Sequence, residues 1–227
     1  MNKKFDNIIS LGSFCSVAME LEKRGLRCSS YPFDWLITDR LEAVIDLIGN
    51  NFNDFLSCPQ MCREGRPDVY FNRKTSSHFY HDFNPHDPLE EQIPQLQKKY
   101  DRRISRFYSD IRKPTLFIRY CIRPYDEEYV RNNRESIAAF LKSFNPENRI
   151  LYIMSSGDSN RMIPDESGEA AVCLIRQPEN DFVRDWIGAV PGLGRYLYSV
   201  SRLGRWEILK NIFRCYSKKV MKKLHLR

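Results

Sequence analysis

Three stretches in the second half of the chain, "PTLFIRY" (114–120), "RILYIMSS" (149–156) and "AAVCLIRQ" (170–177), are apolar along almost their whole length. A strand with one face in water alternates apolar and polar residues. A strand apolar on both sides must be covered on both, which is the habit of parallel strands in layered α/β proteins. Between the first two runs lies "DEEYVRNNRESIAAFLKSF" (126–144), a helix of the length that a parallel crossover needs. "FDNIISL" (5–11) is a further apolar, β-branched run that Gly12 stops, and it reads as the first strand. The expected fold is α/β, a layered and mainly parallel sheet flanked by helices.

The other segments fit around that sheet. After Gly12 the apolar positions Val17, Ala18 and Leu21 fall at helical spacing, and Gly25 closes the helix they define over 15–24. The spacing predicts a second helix over 39–56, capped by Asp39, with Leu41, Val44, Ile45 and Ile48 on one face, and a third over 89–112. Residues 57–90 read as loop with one hairpin formed by "DVYFN" and "SSHFYHDF", and 157–168 as a turn-rich connection without regular structure. The 227 residues, 42% hydrophobic, suffice for one large domain. That domain is expected at 1–195, followed by a basic amphipathic helical tail at 196–227.

No run of about 18 apolar residues is present to cross a membrane, and "MNKKFDNIIS" turns polar too early for a secretory signal. The expected compartment is the cytoplasm. The seven cysteines, at 15, 28, 58, 62, 121, 173 and 215, are odd in number and irregularly spaced, so no disulfide framework is expected. Cys58 and Cys62 lack a second pair to complete a zinc site. No cofactor is implied.

The chemistry concentrates in two places. "SLGSFCSVAMEL" puts Cys15 at a strand–turn–helix junction, where unsatisfied amides and the positive end of the helix dipole favour thiolate over thiol. Ligands of open α/β sheets bind beyond the carboxyl ends of the strands, which sets Gly12, Ser13 and Ser16 on the functional edge with backbone donors for an oxyanion. A small cysteine buried in a helix start is the structural alternative. A thiol nucleophile needs a base, and three of the four histidines lie in "SSHFYHDFNPHD". On a strand His78 and His81 point to opposite faces. His81, beside Asp82 and between aromatic residues, is the better base. With His86 and Asp87 the same loop offers metal-ligand types, but at a spacing that matches no metal template. Asp34 in "YPFDW" suits orienting the histidine or capping a loop, and Asp82 competes for the orienting role. Arg119, closing "LFIR", suits an anionic substrate or a salt bridge.

In their order along the chain, "SLGSFCSVAMEL", "LRCSSYPFDW", "HDF", "RRISRF" and "LFIRY" resemble a bacterial family of unknown function described as papain-like cysteine peptidases, across residues 6–155. The resemblance implies a Cys–His hydrolase site with Cys15 and His81 as the pair and Asp34 and Asp82 in acidic positions of the same motifs. It also implies an alternative fold, papain-like α+β, in which the nucleophile helix packs on an antiparallel sheet. On a parallel sheet the strand–turn–nucleophile opening is similar to SGNH-type esterases, whose serine and Asp-x-x-His block this chain lacks. The activity so implied is a thiol-dependent hydrolase or acyltransferase acting on a peptide or an acylated glycan. The rivals are a non-catalytic accessory protein of glycan assembly and a metal-dependent enzyme.

The charge is uneven. Of 36 Lys/Arg and 29 Asp/Glu, ten and one fall in residues 195–227, leaving 26 and 28 elsewhere. In "LGRWEILKNIFRCYSKKVMKKLHLR" (203–227), Trp206, Leu209, Ile212, Phe213, Tyr216, Val220 and Leu224 recur at helical spacing with basic residues between them. That pattern suits a helix lying on an anionic membrane surface or one docking its apolar face on the domain. No nucleic-acid recognition module is present in the sequence.

Overall fold

The computed structural model describes residues 3–121, 123–165, 170–176 and 183–224, with the side chains of the last helix described as far as Ser217. The first strand, β1 (Asn7–Ser10), turns into α1 (Ser16–Lys23). β2 (Leu36–Thr38), α2 (Leu41–Gly49), β3 (Met61–Glu64), β4 (Arg66–Asn72), β5 (Ser77–Phe79) and α3 (Leu89–Asp110) follow. The second half runs β6 (Thr115–Cys121), α4 (Pro124–Phe144), β7 (Arg149–Ser156), β8 (Arg161–Pro164) and β9 (Ala170–Arg176). Three helices close it: α5 (Trp186–Ala189), α6 (Leu193–Val200) and α7 (Arg205–Leu224).

The parallel sheet has the order β1-β6-β7-β9-β8, with only β8 antiparallel. Its strands are apolar on both sides because both faces are covered. Ile9, Leu11, Phe117, Cys121 and Tyr152 pack with α2, α3, α4 and the second sheet. Their alternates Ile8, Leu116, Ile118, Tyr120, Leu151, Ile153, Cys173 and Ile175 pack with α1, α5 and α6. β6 is buried at every position. The mainly parallel α/β layering read from the apolar runs is the architecture of the chain.

The second sheet is antiparallel, β2-β5-β4-β3, and the anticipated hairpin is β4–β5. β2 and β3 are three and four residues long, too short to show a period in sequence. In the papain-type alternative the nucleophile helix would lie on such a sheet, but α1 packs against β1 and β6.

Other expectations change in detail. α2 stops at Gly49, short of 56, because Asn51, Phe52 and Asp54 take left-handed φ of 56°, 59° and 61°. Asp39 does not cap it: Arg40 occupies the N-cap, and the Leu41 amide donates instead to Asp126 Oδ1 at 2.6 Å, from α4. The connection 157–168 contains β8. The domain boundary placed after residue 195 falls inside α6, whose Leu193, Leu197 and Val200 are core residues. No helix among the described residues is long and apolar enough to cross a membrane.

Candidate active site

The turn after β1 is shaped from outside. The Leu11 amide donates to Ile118 O at 2.8 Å, continuing the parallel ladder. Gly12 and Ser13 then both take left-handed φ, 80° and 82°. At Gly12 a Cβ would stand 2.6 Å from Thr38 Oγ1, so only glycine fits. Ser13 has a side chain and is held there by two bonds across to β2: its amide donates to Thr38 Oγ1, and the Thr38 amide donates to its carbonyl, both at 3.0 Å. Gly12→Ala is expected to cost about 2 kcal/mol or more, from strained φ and the Thr38 clash; urea denaturation measures it.

Arg119 clamps this turn from beneath. Nη1 donates to Leu11 O at 3.1 Å and Thr38 Oγ1 at 2.7 Å, and Nη2 to Thr38 O at 2.9 Å. Nε and Nη2 both reach Asp126 Oδ2, at 2.9 and 2.5 Å. The side chain is completely buried, so it joins the two sheets rather than meeting an anionic substrate. The amides of the turn are also committed, Gly12 N to Ser10 Oγ at 3.0 Å and Ser13 N to Thr38, which removes them as oxyanion donors.

Cys15 stands at the N-cap of α1, half-buried. Next to it the Ser16 hydroxyl is buried without a hydrogen-bond partner among the described residues. Phe14 meets Tyr120 edge-on at 5.1 Å. The Tyr120 hydroxyl is buried with the Val183 backbone nearby, but in no good hydrogen-bond geometry. Trp186 Nε1 donates to Ser16 O at 3.4 Å, so residues 183–186 strap the first turn of α1. Burial pushes the Cys15 thiol up, against the pull of its own backbone amide and of Arg184. The thiolate expected from the helix start is therefore outweighed by the loss of water around the sulfur.

The acidic and histidine candidates do not gather around that thiol. His81 is exposed, with Asp68 as its neighbouring charge, and no hydrogen bond joins it to Cys15. It lies four residues beyond Ser77, which opposes Thr38, up to about 13 Å along at strand rise. Asp82 pairs with the Lys99 ammonium and accepts from the Tyr100 hydroxyl at 2.9 Å. Asp34 accepts from Arg27 Nε and Nη2 at 3.0 and 2.6 Å and from the Tyr31 amide at 2.8 Å. Burial pushes its carboxyl up against the pull of Arg27. Asp82 therefore holds its loop to α3, and Asp34 fixes the loop of residues 27–35 on itself. Among the described residues no three His, Cys, Asp or Glu side chains cluster as a metal site.

His78 is the histidine that the fold engages. Its Nε2 lies 2.6 Å from Asp39 Oδ2, and its Nδ1 lies 2.6 Å from Glu64 Oε2, an ion-pair distance outside hydrogen-bond geometry. Burial opposes charge on the ring, but the Asp39 bond and both carboxylates outweigh it and raise its pKa. The His78 bond in turn holds Asp39 below the usual carboxylate range. Strand parity alone cannot rank His78 over His81; the register does, by setting His78 opposite Ile37, next to Thr38. The linkage has a definite sign. The raised His78 pKa adds stability that is fully present below its unfolded value of about 6.5 and lost as pH rises through the folded value. The depressed Asp39 pKa adds stability present above its unfolded value and lost as pH falls through the folded one. Unfolding free energy is thus expected to decline as pH rises above about 6.5, and His78→Gln to flatten the start of that slope; denaturation at a series of pH values measures both. Asp39 also lines a cavity of about 560 Å³ with Ser76, Tyr125, Asp126 and Tyr129.

A family model described as "Putative papain-like cysteine peptidase (DUF1796)" matches residues 6–155. The chain belongs to this family. The family's span runs from β1 into β7, as far as residue 155, and includes the turn, Cys15, His78 and His81. Arg184, whose charge acts on Cys15, and Trp186, which bonds Ser16 O, come from beyond it. The chain is also similar to "Uncharacterized protein R408" of Acanthamoeba polyphaga mimivirus, 29% identical over 140 residues, 51% of this chain and 62% of that protein. It thus spans less than two thirds of that relative's length. No solved structure matches.

Proposed function

We propose that the chain is a thiol-dependent hydrolase or acyl-transfer enzyme of the cysteine-peptidase type, with Cys15 as nucleophile and a peptide or acylated glycan as substrate. The observation that carries this is the setting of Cys15: a thiol at the carboxyl edge of β1 and the start of α1, beside the buried, unpartnered Ser16 hydroxyl. The thiol gives its proton to a histidine and the sulfur attacks the carbonyl carbon. The first-turn amides of α1 and the Ser16 hydroxyl bond the oxyanion, since the Gly12 and Ser13 amides are already used. The tetrahedral intermediate collapses with cleavage of the substrate's C–N or C–O bond, and the histidine returns its proton to the departing amine or alcohol. A thioester remains, which water or another acceptor attacks to free the acyl group and restore the thiol. His81 is the base that the family motif implies, and reaching Cys15 requires its segment to move. His78 is already oriented by Asp39 and stands beside Thr38, which supports it as the competing base.

The test uses p-nitrophenyl acetate and needs no knowledge of the substrate. A burst of p-nitrophenolate with the acetyl group mapped to Cys15 is the expected result, abolished in Cys15→Ala and slowed at least about ten-fold by loss of the base. His78→Gln and His81→Gln tell which histidine serves. Acetylation spread over Cys28, Cys58 and Cys62 with no preference for Cys15 would overturn the proposal in favour of a non-catalytic protein.

A further inference from the structure

α7 carries two apolar faces side by side, and among the described residues one is covered while the other is largely exposed. Ile208 and Ile212 lie against Gly25, so closely that a Cβ there would stand 2.4 Å from Ile208 O. Asn211 Nδ2 donates to Gly25 O at 3.1 Å, and Cys215 is buried on the same side. The helix is thus docked beyond the C-terminal end of α1. The second face is in solvent: Trp206 is 84% exposed, Phe213 75%, Tyr216 56% and Leu209 53%. At helical pitch these four fall within a sector of about 80°, with Lys210 and Arg214 bordering it on the side away from the docked face and Arg205 on the other. After Glu207, whose carboxylate accepts from the Gly204 amide at 2.8 Å, the chain contains no acid, and Lys218, Lys219, Lys222 and Lys223 follow in sequence.

A contiguous apolar patch this exposed is the mark of a protein or membrane contact surface. A protein groove for this helix would need an acidic rim to match its flanks, whereas a bilayer containing anionic lipid offers both the apolar layer and the negative charge. We propose that α7 seats the domain on an anionic lipid bilayer, lying in the interface plane with Trp206, Leu209, Phe213 and Tyr216 at the headgroup–acyl boundary. The helix supplies the charge attraction through its basic residues. This seat is independent of the thiol chemistry, because Cys15 is at the opposite end of α1, about 12 Å away along the helix.

The test is sedimentation of the full chain with vesicles of phosphatidylglycerol and phosphatidylcholine, against phosphatidylcholine alone. The expected result is binding to the anionic vesicles only, released by high salt, with a blue shift in tryptophan emission. Of the three tryptophans, Trp186 is wholly buried and Trp35 is partly buried with the Arg27 guanidinium over its ring, so the shift reports mainly Trp206, and Trp206→Phe removes most of it while keeping binding. Phe213→Ser is expected to weaken partitioning about ten-fold, and Lys210→Gln or Arg214→Gln about five-fold each. These side chains are exposed, so the melting temperature should stay at the wild-type value, which separates lost binding from lost folding. Equal binding to neutral vesicles, no binding at all, or a lipid-free dimer that Phe213→Ser dissolves without any vesicle binding would overturn the proposal. The last outcome would make the face a contact between copies of the chain.

Discussion

Asp126→Ala is expected to lower the unfolding free energy by about 3–5 kcal/mol, the range for breaking a buried ion pair from one side. The substitution leaves the completely buried Arg119 guanidinium without its counter-charge. It also strips the Leu41 amide, the first of α2, of its acceptor. Urea denaturation should show the midpoint falling with little change in slope. The double variant Arg119→Met with Asp126→Leu tests the cause. Removing both charges together should restore part of the loss, because the penalty lies in the stranded ion rather than in a missing attraction. Equal losses in the single and double variants would mean that the bonds from Arg119 to Leu11 and Thr38 dominate.

Trp186→Ala is the second large effect, about 3–5 kcal/mol, the range for truncating a buried aromatic side chain. Trp186 is the largest fully buried side chain in the chain, and it packs with Phe14, Val17 and Tyr120 in the cluster on the α1 side of the sheet. Its indole N–H also bonds Ser16 O, which ties residues 183–186 to the first turn of α1 next to Cys15. Two readouts should therefore move together. The denaturation midpoint falls, and iodoacetamide labels Cys15 faster, while Cys58 and Cys62 keep their rates. Trp186→Phe, which keeps most of the volume and loses the N–H, should be milder in stability. Faster Cys15 labelling in that variant would show that the single hydrogen bond holds the strap down.

The parallel sheet was legible because its strands are covered on both faces, and that condition writes itself as unbroken apolar runs. β7 occupies the residues of "RILYIMSS", and α3 and α4 follow their helical spacing closely. What escaped is the part whose structure comes from elsewhere in the chain. β2 is three residues long and exists because β5 pairs with it. The α2 amide is satisfied by a carboxylate 85 positions away, so Asp39, the natural local cap, was free to bond His78. Arg119 looked available because a lone charge at a strand end usually faces water, yet its partners converge on it from Leu11, Thr38 and Asp126. At the candidate site, the position of Cys15 could be read from the strand–turn–helix pattern. Its raised pKa could not, because it comes from burial in the folded chain, which outweighs the pull of its backbone amide and of Arg184.

The clamp beneath the β1 turn also sets an order of events when the chain is made. The residues of the turn and Cys15 are synthesised before their partners: Arg119 and the Ile118 carbonyl that fix their shape are made about a hundred residues later, and Trp186 later still. A growing chain therefore carries its thiol in an unset loop until Arg119 and Trp186 have been made, and the thiol acquires its final surroundings only as those later elements dock. Nascent chains arrested before residue 119 should accordingly expose Cys15 to small alkylating reagents as freely as any other cysteine. The protection of that one sulfur would then time the closing of the fold.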